Sequence, residues 1–333
     1  MRFKRRIAPL PFLIAVLLTV GAVTASATYG TVTCNRFASP NGSDKSPGTE
    51  SEPFATAQHL IDSLAPGERG CFRAGTYSRD HQLKVSTAGV TLAGYPGEQA
   101  VLQGRIWVTQ GADGVTIQDL VLDGRNAKGL PSPTVNANDA VFRNDEVTNQ
   151  RTAICFMLGR RTWGRADRTL IEDNRIHDCG VRPRTNKQHG IYVSHGDYTV
   201  IRNNWIYRNA DRGIQLYPDA QHTTITGNVI DANGEGIIFS GGHGIASNDN
   251  MVTSNLITNS RVRYNVESFY PAGNPIGTGN VVAGNCLWGG AEGNIQDSQI
   301  GFTASDNLIA DPLYVDRASG DYNLQSGSPC AGI

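Results

Sequence analysis

The chain has 333 residues, 29 Lys and Arg against 30 Asp and Glu, 38 glycines, six cysteines and 39 % hydrophobic residues. Charge content is ordinary for a folded protein, which excludes a disordered polyelectrolyte. A net charge of −1 gives no ground for expecting a nucleic-acid partner.

Residues 1–27, MRFKRRIAPLPFLIAVLLTVGAVTASA, combine a basic leader, an apolar run and an Ala25-Ser26-Ala27 ending. That is the pattern of a secretory signal, and the run is too short and too broken by proline for a permanent span. The expectation is a secreted, monomeric protein of residues 28–333 with no membrane association once the signal is removed. Next, Phe54, Ala57, Leu60, Ile61 and Leu64 fall at helical spacing behind Pro53, predicting a short helix within a cap region of residues 28–75. A solenoid needs its open end covered, and this helix is placed to do it.

The centre of the chain repeats. HGIYVS at 189–194, RGIQLY at 212–217 and EGIIFS at 235–240 begin 23 residues apart. A fixed period in the twenties is the mark of a solenoid, and a second phrase between them gives each coil at least two short strands. Alternation puts Ile191, Val193, Ile214, Leu216, Ile237 and Phe239 inside, and leaves Tyr192, Gln215 and Ile238, then Ser194, Tyr217 and Ser240, facing outward. The phrase extends through Asp119, Asp145, Asn174, Asn204, Asn228, Asn255, Asn285 and Asn307, predicting an asparagine ladder through eight coils, about 38 Å of column at about 4.8 Å per coil. The fold class is all-β: a single-stranded right-handed parallel β-helix.

Six cysteines in an exported chain can all be oxidised, in fifteen pairings on sequence alone. Proximity in sequence suggests Cys34 with Cys71, Cys155 with Cys179, and Cys286 with Cys330. The segments Ser39-Pro40-Asn41-Gly42-Ser43-Asp44, Pro47-Gly48-Thr49, Arg73-Ala74-Gly75-Thr76-Tyr77 and Gly94-Tyr95-Pro96-Gly97-Glu98 resemble the entry of secreted right-handed β-helix proteins of the pectate-lyase-like superfamily. Ala310 to Ile333 is similar to their exit, placed here at 305–333. The resemblance implies the fold and a polysaccharide partner. It does not choose among lyases, hydrolases, epimerases and non-catalytic binders.

On a column in register, His189, Arg212 and Glu235 become neighbours, and a base, a cation and a carboxylate in one line suit acid/base work on an anionic sugar. Strict alternation places them at a corner or inward, before an outward glycine. Tyr217 completes the expected catalytic set; Tyr192, Gln215, Lys187, Arg184, Trp163 and His195 are the expected substrate contacts. The stretch from Arg160 to Lys187 holds eight basic against four acidic residues, which would attract a carboxylated or sulfated glycan. Gly242-His243-Gly244 matches one element of the polygalacturonase-like hydrolases, while Ser194-His195-Gly196 resembles the R-H-G of β-helix lyases with serine in place of arginine. Many such lyases use calcium, but Asp173, Asp178, Asp197, Asp211 and Asp219 form no recognisable cage, so no metal ligands are named. The sequence thus predicts β-elimination on a uronate polymer: Arg212 neutralises the carboxylate, His189 or a tyrosine takes the C5 proton, and Tyr217 or Glu235 assists the leaving oxygen. The alternatives are hydrolysis by Glu235 with Asp211 or Glu267, and a non-catalytic glycan-binding module.

Overall fold

The 23-residue period becomes one turn of a wound column. Ile191, Ile214 and Ile237 are parallel partners, as are Val193, Leu216 and Phe239. All six side chains are fully buried. The structure, a computed structural model, describes residues 33–333; the leader expected at 1–27 lies outside them. The central coils carry three strands each, wound right-handed as parallel crossovers are.

The first face holds eleven parallel strands, from Arg36–Ala38 to Thr303–Ser305. The column is therefore longer than the asparagine count implied, about 48 Å between its first and last strands. The second and third faces merge into one 18-stranded sheet, because Ala100–Val108 pairs with both. The helix spans Ala57–Ser63, capped by Thr56, whose side chain accepts from the His59 amide. Its Ala57, Leu60 and Ile61 join the main core, with Leu60 and Leu64 lying against Gly70.

The ladder runs unbroken from Asp145 to Asn307. Each amide oxygen accepts both the backbone and the side-chain N–H of the preceding Asn, as Asn228 Oδ1 does from Asn204 at 2.9 Å. Asp119 is not in it: Leu120 occupies that level and donates its N–H to Asp145. Asp119 belongs to the neighbouring column, where the chain turns through positive φ at Asp119, Asn144, Asp173, Asn203, Gly227, Ser254, Gly284 and Asp306. Such φ values favour Asn, Asp and Gly, so two adjacent columns draw on the same residue types. A second ladder, Asn209 to Asn233, and a third, Asn250 to Asn280, stack elsewhere on the coil.

The disulfides are Cys34–Cys71, Cys155–Cys179 and Cys286–Cys330. The exit segment doubles back along the flank. Its hairpin, Tyr314–Asp316 with Asp321–Leu324, sets Tyr314 and Tyr322 against Tyr207, Val229 and Leu256, and Arg317 reaches the buried Asp231 at 2.7 Å.

Candidate functional site

The longest strands of the third face, Ile191–Asp197, Arg212–Gln221 and Glu235–Gly242, carry the repeated hexapeptides. Register slips between the first two: Val193 pairs with Leu216, but His195 pairs with Asp219. A bulge of this kind re-aims the side chains beside it. Here it sits at Tyr217 and Pro218, which together with Tyr192, Ser194 and His195 line a cleft of about 630 Å³. Two loops wall the cleft, one through Arg160, Arg161 and Trp163, the other through His243 and Ile245; Arg105 closes it from an earlier coil.

Its floor is aromatic. The Tyr192 and Tyr217 rings stack at 6.4 Å, and Tyr217 faces His243 at 6.3 Å. A Cβ on Gly242 would stand 2.7 Å from the Tyr217 hydroxyl, so the glycine leaves the phenol its seat. The Ser194 Oγ lies 2.9 Å from His195 Nδ1. Burial pushes the Tyr192 hydroxyl up to about 12. Burial also holds His195 below its ordinary value, opposed by Asp219 and helped by Arg165, Arg161 and His243. His195 is therefore a neutral imidazole at neutral pH, able to accept a proton.

The upper wall is cationic. Arg165 is ion-paired to Asp167 and Asp219, whereas Arg105, Arg160 and Arg161 have no carboxylate partner among the described residues. Arg160 lies 4.4 Å from the Trp163 ring centroid, and Arg105 bonds Gln82, Thr134 and the Pro131 carbonyl. Burial, then the charge of Arg160, lowers Arg105 from its usual value. A carboxylate entering the cleft would relieve that repulsion.

His189, Arg212 and Glu235 do come together, but outside this cleft. Arg212 and Glu235 are strand partners with Nε to Oε2 at 2.8 Å, and His189 is pulled well below its usual value by burial first and Arg212 second. Their orientation reverses the expectation from alternation. A Cβ on Gly213 or Gly236 would strike Ile230 or Ile257 in the interior, so the glycine faces inward and the residue before it outward. The three are nonetheless covered, at 2 %, 8 % and 0 % exposure. A strap, residues 181–188, lies over them: Arg184 Nη1 meets Glu235 Oε1 at 2.9 Å, the Asn186 carbonyl accepts from Arg212, and the Lys187 and Gln188 amides donate to Asp211. Gln215 is the strand partner of Tyr192 beside them. Glu267, at 1 % exposure, touches the Glu235 carboxyl and is raised to about 8, by burial first and by Glu235 second; Arg263 lies 2.8 Å away.

The expected site residues thus divide. Tyr217, Tyr192, Trp163 and His195 line the cleft; His189, Arg212, Glu235, Gln215 and Arg184 form the covered cluster, and Lys187 supplies a strap amide. The outward column is also less open than alternation implies, with Ile238, Ser194 and Ser240 buried. Arg105 and Arg263 were missed. Only the outward alternation of Arg105 with Trp107 could have pointed to the first. Among the described residues, no three His, Cys, Asp or Glu side chains converge as a metal-holding group.

Residues 106–290 match the family described as "Right handed beta helix region". The uncharacterized protein YwoF of Bacillus subtilis (strain 168) is 26 % identical over 231 residues, 65 % of this chain and 46 % of that protein. The chain thus spans about half the length of this curated relative. Three solved structures share its architecture. XylC in complex with xylose has a TM-score of 0.58 at 12 % identity, over 78 % of this chain and 69 % of that one. The Dettilon tailspike protein gives 0.56 at 14 %, over 84 % and 63 %. Pectate lyase Pel9A gives 0.50 at 12 %, over 90 % and 91 %. At these identities the likeness is one of fold.

Proposed function

The chain belongs to the right-handed β-helix family, and from that scaffold and its cleft we propose a secreted enzyme that cleaves an acidic, uronate-containing polysaccharide by β-elimination. One observation carries the reading: Arg160 and Arg161, without carboxylate partners among the described residues, a neutral His195 oriented by Ser194, and the Tyr217 phenol all face one open cleft. An arginine neutralises the uronate carboxylate, without which the adjacent C5 proton resists removal. His195 takes that proton. The electron pair forms the C4–C5 double bond, the C4–O bond breaks, and the Tyr217 hydroxyl protonates the departing oxygen. Trp163 offers a face on which a sugar ring stacks.

The roles first given to Arg212, His189 and Glu235 pass here to cleft residues, because a polymer does not reach side chains under the strap. Hydrolysis by paired carboxylates draws no support from Glu235 and Glu267. Both are buried, at 0 % and 1 % exposure, where a polymer does not reach them. Three disulfides support an oxidising compartment.

The test is digestion of a panel of uronate and neutral glycans, with and without chelator, scoring unsaturated ends against reducing ends. Wild type forms unsaturated ends on uronate polymers, and His195→Ala and Tyr217→Phe do not. Reducing ends without unsaturation would replace this reading with hydrolysis; binding without product would replace it with a binding module.

A further inference from the structure

At the turn that follows the second face, four guanidinium groups crowd one carboxylate. Arg151, Asp178 and Arg208 occupy this turn in three successive coils, Arg261 reaches back to it from two coils beyond Arg208, and Arg182 reaches it from the strap. Asp178 is shared by Arg151 and by Arg208, the latter at 3.0 Å, and also holds His177. Among the described residues, Arg182 and Arg261 bond only to backbone carbonyls: Arg182 to Arg208 at 3.4 Å, and Arg261 to Ala232 and Asn209, each at 2.7 Å. Arg151 donates to the same Arg208 carbonyl at 3.1 Å, so two guanidinium groups converge on one oxygen. Arg208 Nε is buried without a partner. Of the nearby acids, Glu146 faces His177, and Asp211 is engaged by the strap amides.

The protonation equilibria register this crowding. Burial, then Arg182 and Arg151, lower Arg261 to about 10, and burial with Arg182 and Arg208 lowers Arg151 although Asp178 opposes them. Positive charge exceeds negative at this turn, and planar guanidinium forks suit an oxyanion.

We propose that this turn is an oxyanion-binding site, separate from the cleft, which takes a carboxylate or sulfate ester of an acidic glycan. The choice of a glycan rests on the reading of the cleft; the binding of an oxyanion does not. Calorimetry and thermal unfolding of the full chain in sodium sulfate, against sodium chloride at matched ionic strength, test the site. Wild type binds sulfate saturably and gains thermal stability from it. Arg182→Gln, a change in the exposed strap, weakens sulfate by about tenfold, as loss of one charge-assisted hydrogen bond does. Arg261→Gln weakens it at least as much, and His195→Ala leaves it intact. Both arginine variants keep wild-type turnover. Sulfate acting no better than chloride, or binding both variants as it binds wild type, overturns the site. Displacement of sulfate by uronate or sulfated oligosaccharides supports the glycan; displacement by polyphosphate alone overturns that part.

Discussion

Glu267→Gln isolates the covered carboxyl pair. Glu267 is buried beside the Glu235 carboxyl, the two cannot both ionise, and Glu267 keeps its proton up to about pH 8. In the unfolded chain it releases the proton near the ordinary glutamate value, about 4.3. Between these values the folded state binds the extra proton, so this group's contribution to stability is complete below pH 4 and is lost as pH rises toward 8. At about 1.4 kcal/mol per pH unit for one proton, the loss amounts to several kcal/mol across the window. Glutamine preserves the shape but cannot ionise. Urea unfolding at matched ionic strength, at pH 5 and pH 8.5, should therefore show wild type losing several kcal/mol more than the variant, which becomes the more stable protein at the alkaline end. Equal losses in the two proteins would refute the shared proton.

Three further outcomes follow from the geometry. Gly242→Ala forces the Tyr217 ring aside by placing a methyl 2.7 Å from its hydroxyl, so turnover falls at least about tenfold while the melting temperature changes little; an unchanged rate would remove Tyr217 from the mechanism. Asn228→Ala removes the side-chain donor to the Ile201 and Thr226 carbonyls and leaves the buried Asn204 backbone N–H without its acceptor, at roughly 1–3 kcal/mol for each buried group, which urea unfolding will register as a loss of about 3 kcal/mol or more. The acidic limb of kcat/KM against pH should lie below the ordinary histidine value of about 6.5, because burial depresses His195; a limb above it would assign proton removal to another group.

The winding of this chain was legible because period and alternation are one-dimensional signals, and vertical stacking turns equal offsets into contact. The hexapeptides, the helix behind Pro53 and the disulfide pairs all depend on offset or proximity along the chain. Asp119 shows the limit of that method. Two adjacent columns, one needing a side-chain amide and one tolerating positive φ, both select Asn and Asp, so identity alone did not separate them. The site was less legible, because the strap decides what is open. His189, Arg212 and Glu235 lined up as offset predicted, yet a segment with no periodicity of its own covers them. Arg105 reaches the cleft from a coil outside the repeated hexapeptides, where no matching phrase marks it.

Tyr192 joins the two regions, and its surroundings limit what the covered cluster can contribute to the cleft. Its ring meets His189 edge-on at 5.7 Å and stacks on Tyr217. Behind it, His189 is held neutral, Glu267 keeps its proton, and Glu235 is flanked by Arg212 and Arg184. Burial keeps the Tyr192 phenol protonated well beyond neutral pH, so it does not act as the base. The cleft itself holds the neutral His195 imidazole, the Tyr217 phenol and three arginines with no carboxylate partner among the described residues. Substrate charge and proton transfer are thereby concentrated on one side of Tyr192, and the ionic structure on the other side holds the strap in place.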